Sequence, residues 1–232
     1  LMDQGLFFAF FILVAILMVA GVVLSIRAAQ KRREDLLAWA TRNGLTYSSE
    51  HVSGFDEQYP WFSCLRNGDN RYAYNTIEGV YNKRWMLAFD YHYQTYSTDS
   101  KGNRQTHHHH FSAVLVNTGL PLEPLSITGE SIFNRIGEFF GAGDIDFEST
   151  EFSDQFRVTS PNKRWAYDVL HQSTMEFLLT SPRFALEMGG PFIIAWNSGT
   201  FEVEQFEQAV QVIDGIITRL PNYLVRELKG KD

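Results

Sequence analysis

From Gly5 to Ile26 the chain reads GLFFAFFILVAILMVAGVVLSI, twenty-two residues without a charge. At ~1.5 Å rise per residue this makes a helix of ~33 Å, against ~30 Å for the hydrocarbon core of a bilayer. Apolar side chains fall on every face, whereas a helix lying on a protein surface would show a stripe. A cleaved signal peptide would need a basic start, a shorter apolar stretch and a small-residue cleavage site. The residues before the run are instead Leu-Met-Asp-Gln, acidic rather than basic. The run is therefore read as a transmembrane helix over 5–26, with 1–4 as an extracytoplasmic stub.

The flanks orient it. Arg27, Lys31, Arg32 and Arg33 follow the run directly, and no Lys or Arg precedes it. The positive-inside rule then puts the C-terminal bulk in the cytoplasm. Residues 1–33 carry four basic and one acidic residue, +3, so the remainder carries −10 of the net −7. The four basic residues are expected to form a collar for anionic lipid headgroups, and the acidic remainder to be repelled from lipid. That charge also argues against nucleic acid as a partner. Ala20, Gly21 and Ser25 could let a second membrane helix pack closely.

Beyond the run, 27–43 continues as a basic juxtamembrane helix, with Leu36, Leu37, Trp39 and Ala40 covering the domain and Gly44 ending it. Residues 44–232 read as one cytoplasmic α+β domain, with a possible internal boundary near 119–128 at the prolines of GLPLEPL. Leu45–Ser49, Arg71–Tyr81 and Phe156–Thr159 are strand candidates. Arg84–Ser97 and Thr106–Val116 pair as a long hairpin around the polar loop 98–105. Centring the turn near Gly102 sets 91 opposite 113 and 93 opposite 111. One face then gathers Leu87, Phe89, Tyr91, Tyr93, Phe111, Ala113 and Leu115.

Further on, a helix is expected over Glu130–Phe140, another opening at Ser160-Pro161, and a third behind a capping box at Ser173–Glu176. Arg183–Met188 and Pro191–Trp196 would form a hairpin around Gly189-Gly190. Phe206, Ala209, Val210, Ile213, Ile216, Ile217 and Leu220 mark a last amphipathic helix from about 203 to 220, stopped by Pro221.

His107–His110, with His92 nearby, is the conspicuous polar cluster. On a strand, His108 and His110 share the face of Asp90, His92 and Ser112. His92, His108 and His110 have the ligand types for zinc, nickel or copper. A hydrated hairpin tip also tolerates histidines without metal, and the preferred reading is a polar, pH-responsive surface. Asp144, Asp146, Glu148, Glu151 and Asp154 lack the glycine and terminal Glu of an EF-hand loop. Phosphate-binding glycine motifs and the serine-hydrolase elbow are missing from the sequence. The single cysteine, Cys64, excludes an intramolecular disulfide and reads as a buried hydrophobe. No catalytic residue and no cofactor are therefore expected.

The run 144–179 resembles a signature of bacterial membrane-anchored proteins grouped as a domain of unknown function. Its carriers are Glu148, Phe152, Phe156, Val158, Ser160, Arg164, Tyr167, Met175 and Leu178, and the hairpin 91–114 is similar to a segment in relatives. The resemblance implies an α+β domain on a single-pass anchor in the bacterial inner membrane, and transfers no catalytic residue. The function expected is a non-catalytic accessory or stabilising subunit docking on other subunits of a larger membrane assembly, for instance one of a respiratory or photosynthetic type. The alternative is a metal-binding or metal-dependent protein using the histidine cluster.

Overall fold

The computed structural model describes residues 4–129 and 145–230; the helix expected over 130–140 and the acidic Asp144 lie outside them. Helix α1 runs unbroken over Gln4–Arg42, 39 residues, because neither proline nor a strained glycine interrupts it. None of its apolar window is buried against the rest of the protein, so it is one helix long and apolar enough to cross a membrane. Only its last turns dock: Leu36, Trp39 and Ala40 are buried, whereas Leu37, expected to join them, is 49% exposed. Trp39 packs on Tyr81 and Phe206. The helix stops in a Schellman arrangement, with Leu45 N–H donating to Ala40 O and Gly44 N–H to Thr41 O. Gly44 supplies the positive φ of 66° that this ending requires.

The domain is α+β. Its antiparallel sheet comprises β1 Thr46–Ser48, β2 Asp69–Tyr81, β3 Arg84–Thr98, β4 Arg104–Gly129, β5 Phe156–Thr159 and β6 Ala185–Ser198. The path is β1-β2-β3-β4-β5, with β6 along the other edge of β4. Short helices α2 (Phe55–Gln58), α3 (Thr150–Ser153), α4 (Lys163–Val169) and α5 (Gln172–Thr180) precede the amphipathic α6 (Val203–Arg219) and a final α7 (Asn222–Lys229).

Both sheet faces are covered. The face of Leu87, Phe89, Tyr91, Phe111, Ala113 and Leu115 packs under Phe55, Tyr59, Phe62, Cys64 and Leu65. The opposite face carries the larger core: Met86, Ala88, Val114 and Val116 pack with the end of α1 and with the stripe Phe206–Leu220. Fully burying a Val, Ile, Leu, Phe or Met side chain there is worth about 1.5–3 kcal/mol.

The β3–β4 hairpin keeps the expected faces, but Tyr91 pairs with Phe111 and Tyr93 with His109, two residues from the expected register. The turn centres on Lys101 because the Asp99 carboxylate accepts from the N–H groups of Lys101 and Asn103, and Asp99 N–H donates to Asn103 O. An even shift leaves every side chain on its face.

The possible boundary at 119–128 is a bent stretch inside β4, with Leu120, Leu122, Leu125 and Ile127 in the core. Its ladder with β6 slips between Asn117 and Leu125, where prolines and Gly119 form an irregularity rather than a linker. Similarly, Gly189-Gly190 is the middle of one continuous strand, not a turn. The Trp61 ring lies against both glycines: a Cβ on Gly189 would stand 2.6 Å from Trp61 Cβ, and one on Gly190 2.5 Å from Trp61 Cε2. Ser160 does not cap α4; Asn162 does, accepting from Trp165 N–H. The capping box at Ser173 is replaced by a start at His171 without a side-chain cap.

Gly190→Val removes the room for Trp61 and forces a β-branched residue to φ +55°. We expect a loss of about 2–4 kcal/mol, read from the urea midpoint at unchanged m-value.

Candidate functional site

Asp90 sits in the middle of β3 with a relative exposure of 0%, where a lone carboxylate would be costly. Four donors surround it. Arg32 Nη1 and Nη2 reach its two oxygens at 2.7 and 2.9 Å, Asn75 Nδ2 donates at 2.8 Å, and Ser112 Oγ donates from β4. Asn75 reaches it through a bulge in β2 between Tyr74↔Asp90 and Ile77↔Ala88. At φ 48° it takes a conformation that Asn tolerates better than most residues.

The ring closes through the loop before α6. Arg32 Nε donates to Phe201 O at 2.8 Å, and Phe201 N–H donates to Ser112 Oγ at 2.8 Å. Arg32 therefore belongs to the domain's interior network rather than to the collar of free cations. Arg27, Lys31 and Arg33 remain exposed. Ala20, Gly21 and Ser25 are exposed on the candidate span; a Cβ on Gly21 would meet nothing within 4 Å. The Ser25 hydroxyl is occupied by Val22 O at 2.9 Å.

The histidines lie one step along the strands from Asp90. His92, 2% exposed, has Nδ1 3.2 Å from Asn70 O. A carbonyl can only accept, so Nδ1 carries the proton and Nε2 is left as acceptor for His108 Nδ1 at 3.0 Å. Tyr72 stacks on His92 and His51 on Tyr72, with ring centroids 4.6 and 4.3 Å apart. His110 turns its Nδ1 to Tyr74 Oη at 3.1 Å. His107 and His109, on the other face, pair with Ser97 and Thr95. His92 and His108 thus converge, while His110 is engaged by Tyr74. Among the described residues no group of three or more His, Cys, Asp or Glu is placed to hold a metal ion.

Burial holds the pKa of His92 below the ordinary histidine value, with repulsion from His110 and His108 adding to the effect. Burial lowers that of His110 as well, followed by His108. Partial burial of Tyr74, with the Asp90 charge adding to it, pushes its pKa up to about 12.

A second buried acid was not legible in the sequence. Glu187 on β6, 2% exposed, accepts from Ser63 N–H at 2.8 Å, from Ser63 Oγ at 3.0 Å and from Cys64 N–H at 3.4 Å. It fastens the 55–66 segment to the sheet. Burial raises the Glu187 pKa, and burial with the Glu187 carboxylate raises that of Cys64 well above the thiol value. Cys64 is a buried thiol rather than a nucleophile.

No protein-family model matches the sequence, and no curated protein matches it significantly. The fold is similar to that in the crystal structure of the mycobacterial trehalose monomycolate transport factor A, TtfA, with TM-score 0.60 and 10% sequence identity. The superposition covers 82% of this chain and 95% of that one. At that identity the likeness speaks for the fold.

Two outcomes follow. Arg32→Met leaves Asp90 buried and uncompensated, at a cost of about 3–5 kcal/mol. Adding Asp90→Asn should recover part of it, a coupling measurable in a double-mutant cycle on urea midpoints. Second, a histidine whose folded pKa is depressed stabilises the fold above the unfolded value of ~6.5, and that stability is lost as pH falls through the folded pKa. The urea midpoint should therefore drop on acidification from neutrality, and less so in the His92→Gln, His110→Gln double variant.

Proposed function

We propose that the chain is a non-catalytic, single-span protein of the bacterial inner membrane, with its domain in the cytoplasm, serving as an accessory subunit of a larger membrane assembly. The observation that carries this reading is the rigid join between the apolar helix and the sheet. A tether for an independent enzyme works with a flexible linker, since only proximity is needed. Here the helix enters the domain without a break and is bolted there by Arg32, Asp90 and Phe201 O. A helix and domain held in fixed relation can engage one partner at two depths, inside the bilayer and below it. The exposed basic residues Arg27, Lys31 and Arg33 would hold anionic headgroups between those levels.

The likeness to a transport factor favours a transport assembly over the respiratory or photosynthetic host considered from sequence. Resemblance of 144–179 to a bacterial membrane-anchored group agrees with the inner-membrane part of the reading.

A photo-reactive residue at Leu17, on the exposed candidate span, and another at Tyr167, on the exposed side of α4, test it in native membranes. The expected result is crosslinking of the same membrane subunit from both positions, with that subunit co-purifying in mild detergent. A protein that stays monomeric and crosslinks only to lipid from Leu17 and to nothing from Tyr167 overturns it.

A further inference from the structure

We propose that the outer half of the β3–β4 hairpin, residues 94–108, is a second membrane contact that lies in the headgroup layer beside α1. The inference rests on the reading of α1 as a membrane span and adds a surface to it.

Direction comes first. Trp39 packs on Tyr81, which pairs with Arg84 at the start of β3, and Arg32 bonds Asp90 farther along the same strand. Strand β3 therefore runs antiparallel to α1 and advances toward the apolar run. Seven helix residues cover ~10 Å while six strand residues cover ~20 Å, so about half of the strand's advance lies along the helix axis. From Asp90 to Thr98 the strand adds ~26 Å, of which ~13 Å is along that axis. From Arg32 to Ile26 the helix rises ~9 Å. The hairpin tip thus reaches the level where the apolar run begins.

The ribbon there lacks support from the rest of the sheet. The last partner of β3 on β2 is Asp69↔Gln94, and β6 stops at Phe111↔Ser198. Beyond those pairs β3 and β4 stay paired alone as far as Thr98↔Arg104. Tyr96–Thr98 and Arg104–His108 are exposed there, which leaves the ribbon open to a covering layer.

Its chemistry matches headgroups. Over 91–112 the formal charges are Lys101, Arg104 and Asp99, net +1, in a remainder of −10. Arg104 lies 3.6 Å above the Tyr96 ring, a cation and aromatic pairing suited to the interface between water and acyl chains. The Ser97–His107 and Thr95–His109 pairs make one face polar, and His108, paired with His92, lies on the other. With Arg27, Lys31 and Arg33 on the helix, the ribbon completes a cationic rim around one patch of anionic lipid. The expectation that everything past the collar is repelled by lipid would then fail for this hairpin alone.

The test uses the full chain in nanodiscs of phosphatidylcholine and phosphatidylglycerol, with a fluorophore attached at Leu17→Cys, Thr98→Cys or Val80→Cys, and quenching by headgroup-labelled or acyl-labelled lipid. Val80 is exposed near the opposite turn. We expect acyl-labelled lipid to quench at 17, and headgroup-labelled lipid to quench at 98 about twofold or more above 80. Lys101→Glu with Arg104→Glu should return position 98 to the level of 80. Quenching at 17 with equal signals at 98 and 80 overturns the hairpin proposal and leaves the span intact. Absence of quenching at 17 overturns the span itself. Quenching between two labels at 98 on separate chains, without lipid quenching, would assign the ribbon to a second copy and also overturn the proposal.

Discussion

Placing one ionised carboxylate inside a sheet forces most of what surrounds it. Asp90 cannot be hydrated where β3 runs between β2 and β4, so its lone pairs must be met by protein donors. Arg32 meets two of them with a planar fork, a geometry that Lys could not reproduce. Because Arg32 stands on α1, satisfying the carboxylate also fixes where the long helix leaves the domain. The remaining donors, Asn75 and Ser112, come from the strands on either side. The local cost of the β2 bulge is thereby converted into satisfaction of a buried charge.

Arg32 shows how far sequence reasoning reaches. In KRR it is one of several cations after an apolar run, and a collar is the general expectation. The signal that separates it stands fifty-eight residues away, in MLAFDYHY, where an acid interrupts a strand that is otherwise apolar or aromatic. An acid in such a setting demands a cation, and the choice among Arg27, Lys31, Arg32 and Arg33 depends on helix rotation. Leu36, Trp39 and Ala40 share the docked side with Arg32 at spacings of four, seven and eight, so the stripe of buried residues could have selected it. Leu37, one position from that stripe, faces outward for the same reason.

The strand errors share a different cause. Period-two alternation specifies faces but not which residues lie opposite, so the hairpin kept its apolar face while its register moved by two. Asp99 decided the register through hydrogen bonds that a count from Gly102 ignores. At Gly189-Gly190 and in GLPLEPL, residues that usually mark turns serve other physical needs. Two glycines leave a trough that Trp61 fills, and a proline-bearing bend lets one long strand serve β3 and β5 on one edge and β6 on the other. Local punctuation could not distinguish these uses, because each depends on a segment distant in sequence. Burial on both faces was hidden for a similar reason: the cover of the Phe89 face comes from 55–66, a stretch of two single helical turns joined by a loop.

The node and the histidines are best understood together. Asp90, His92 and Gln94 follow one another on one face of β3, opposite Ser112, His110 and His108 on β4. Along that line the surroundings change from a fully paired ion, to neutral stacked rings, to an open ribbon. Burial that lowers the pKa of His92 and His110 keeps extra positive charge from collecting beside Arg32. A cation there would compete for Asp90 and loosen the hold on α1. Neutral imidazoles can instead fill the space as flat, hydrogen-bonding rings, with Tyr72 and His51 stacked outside them. The gradient from packed interior to open edge thus runs in the same direction as the helix leaves the domain. The Asp90 node itself stands only the short rise between Arg32 and Ile26, ~9 Å of helix, from the apolar run.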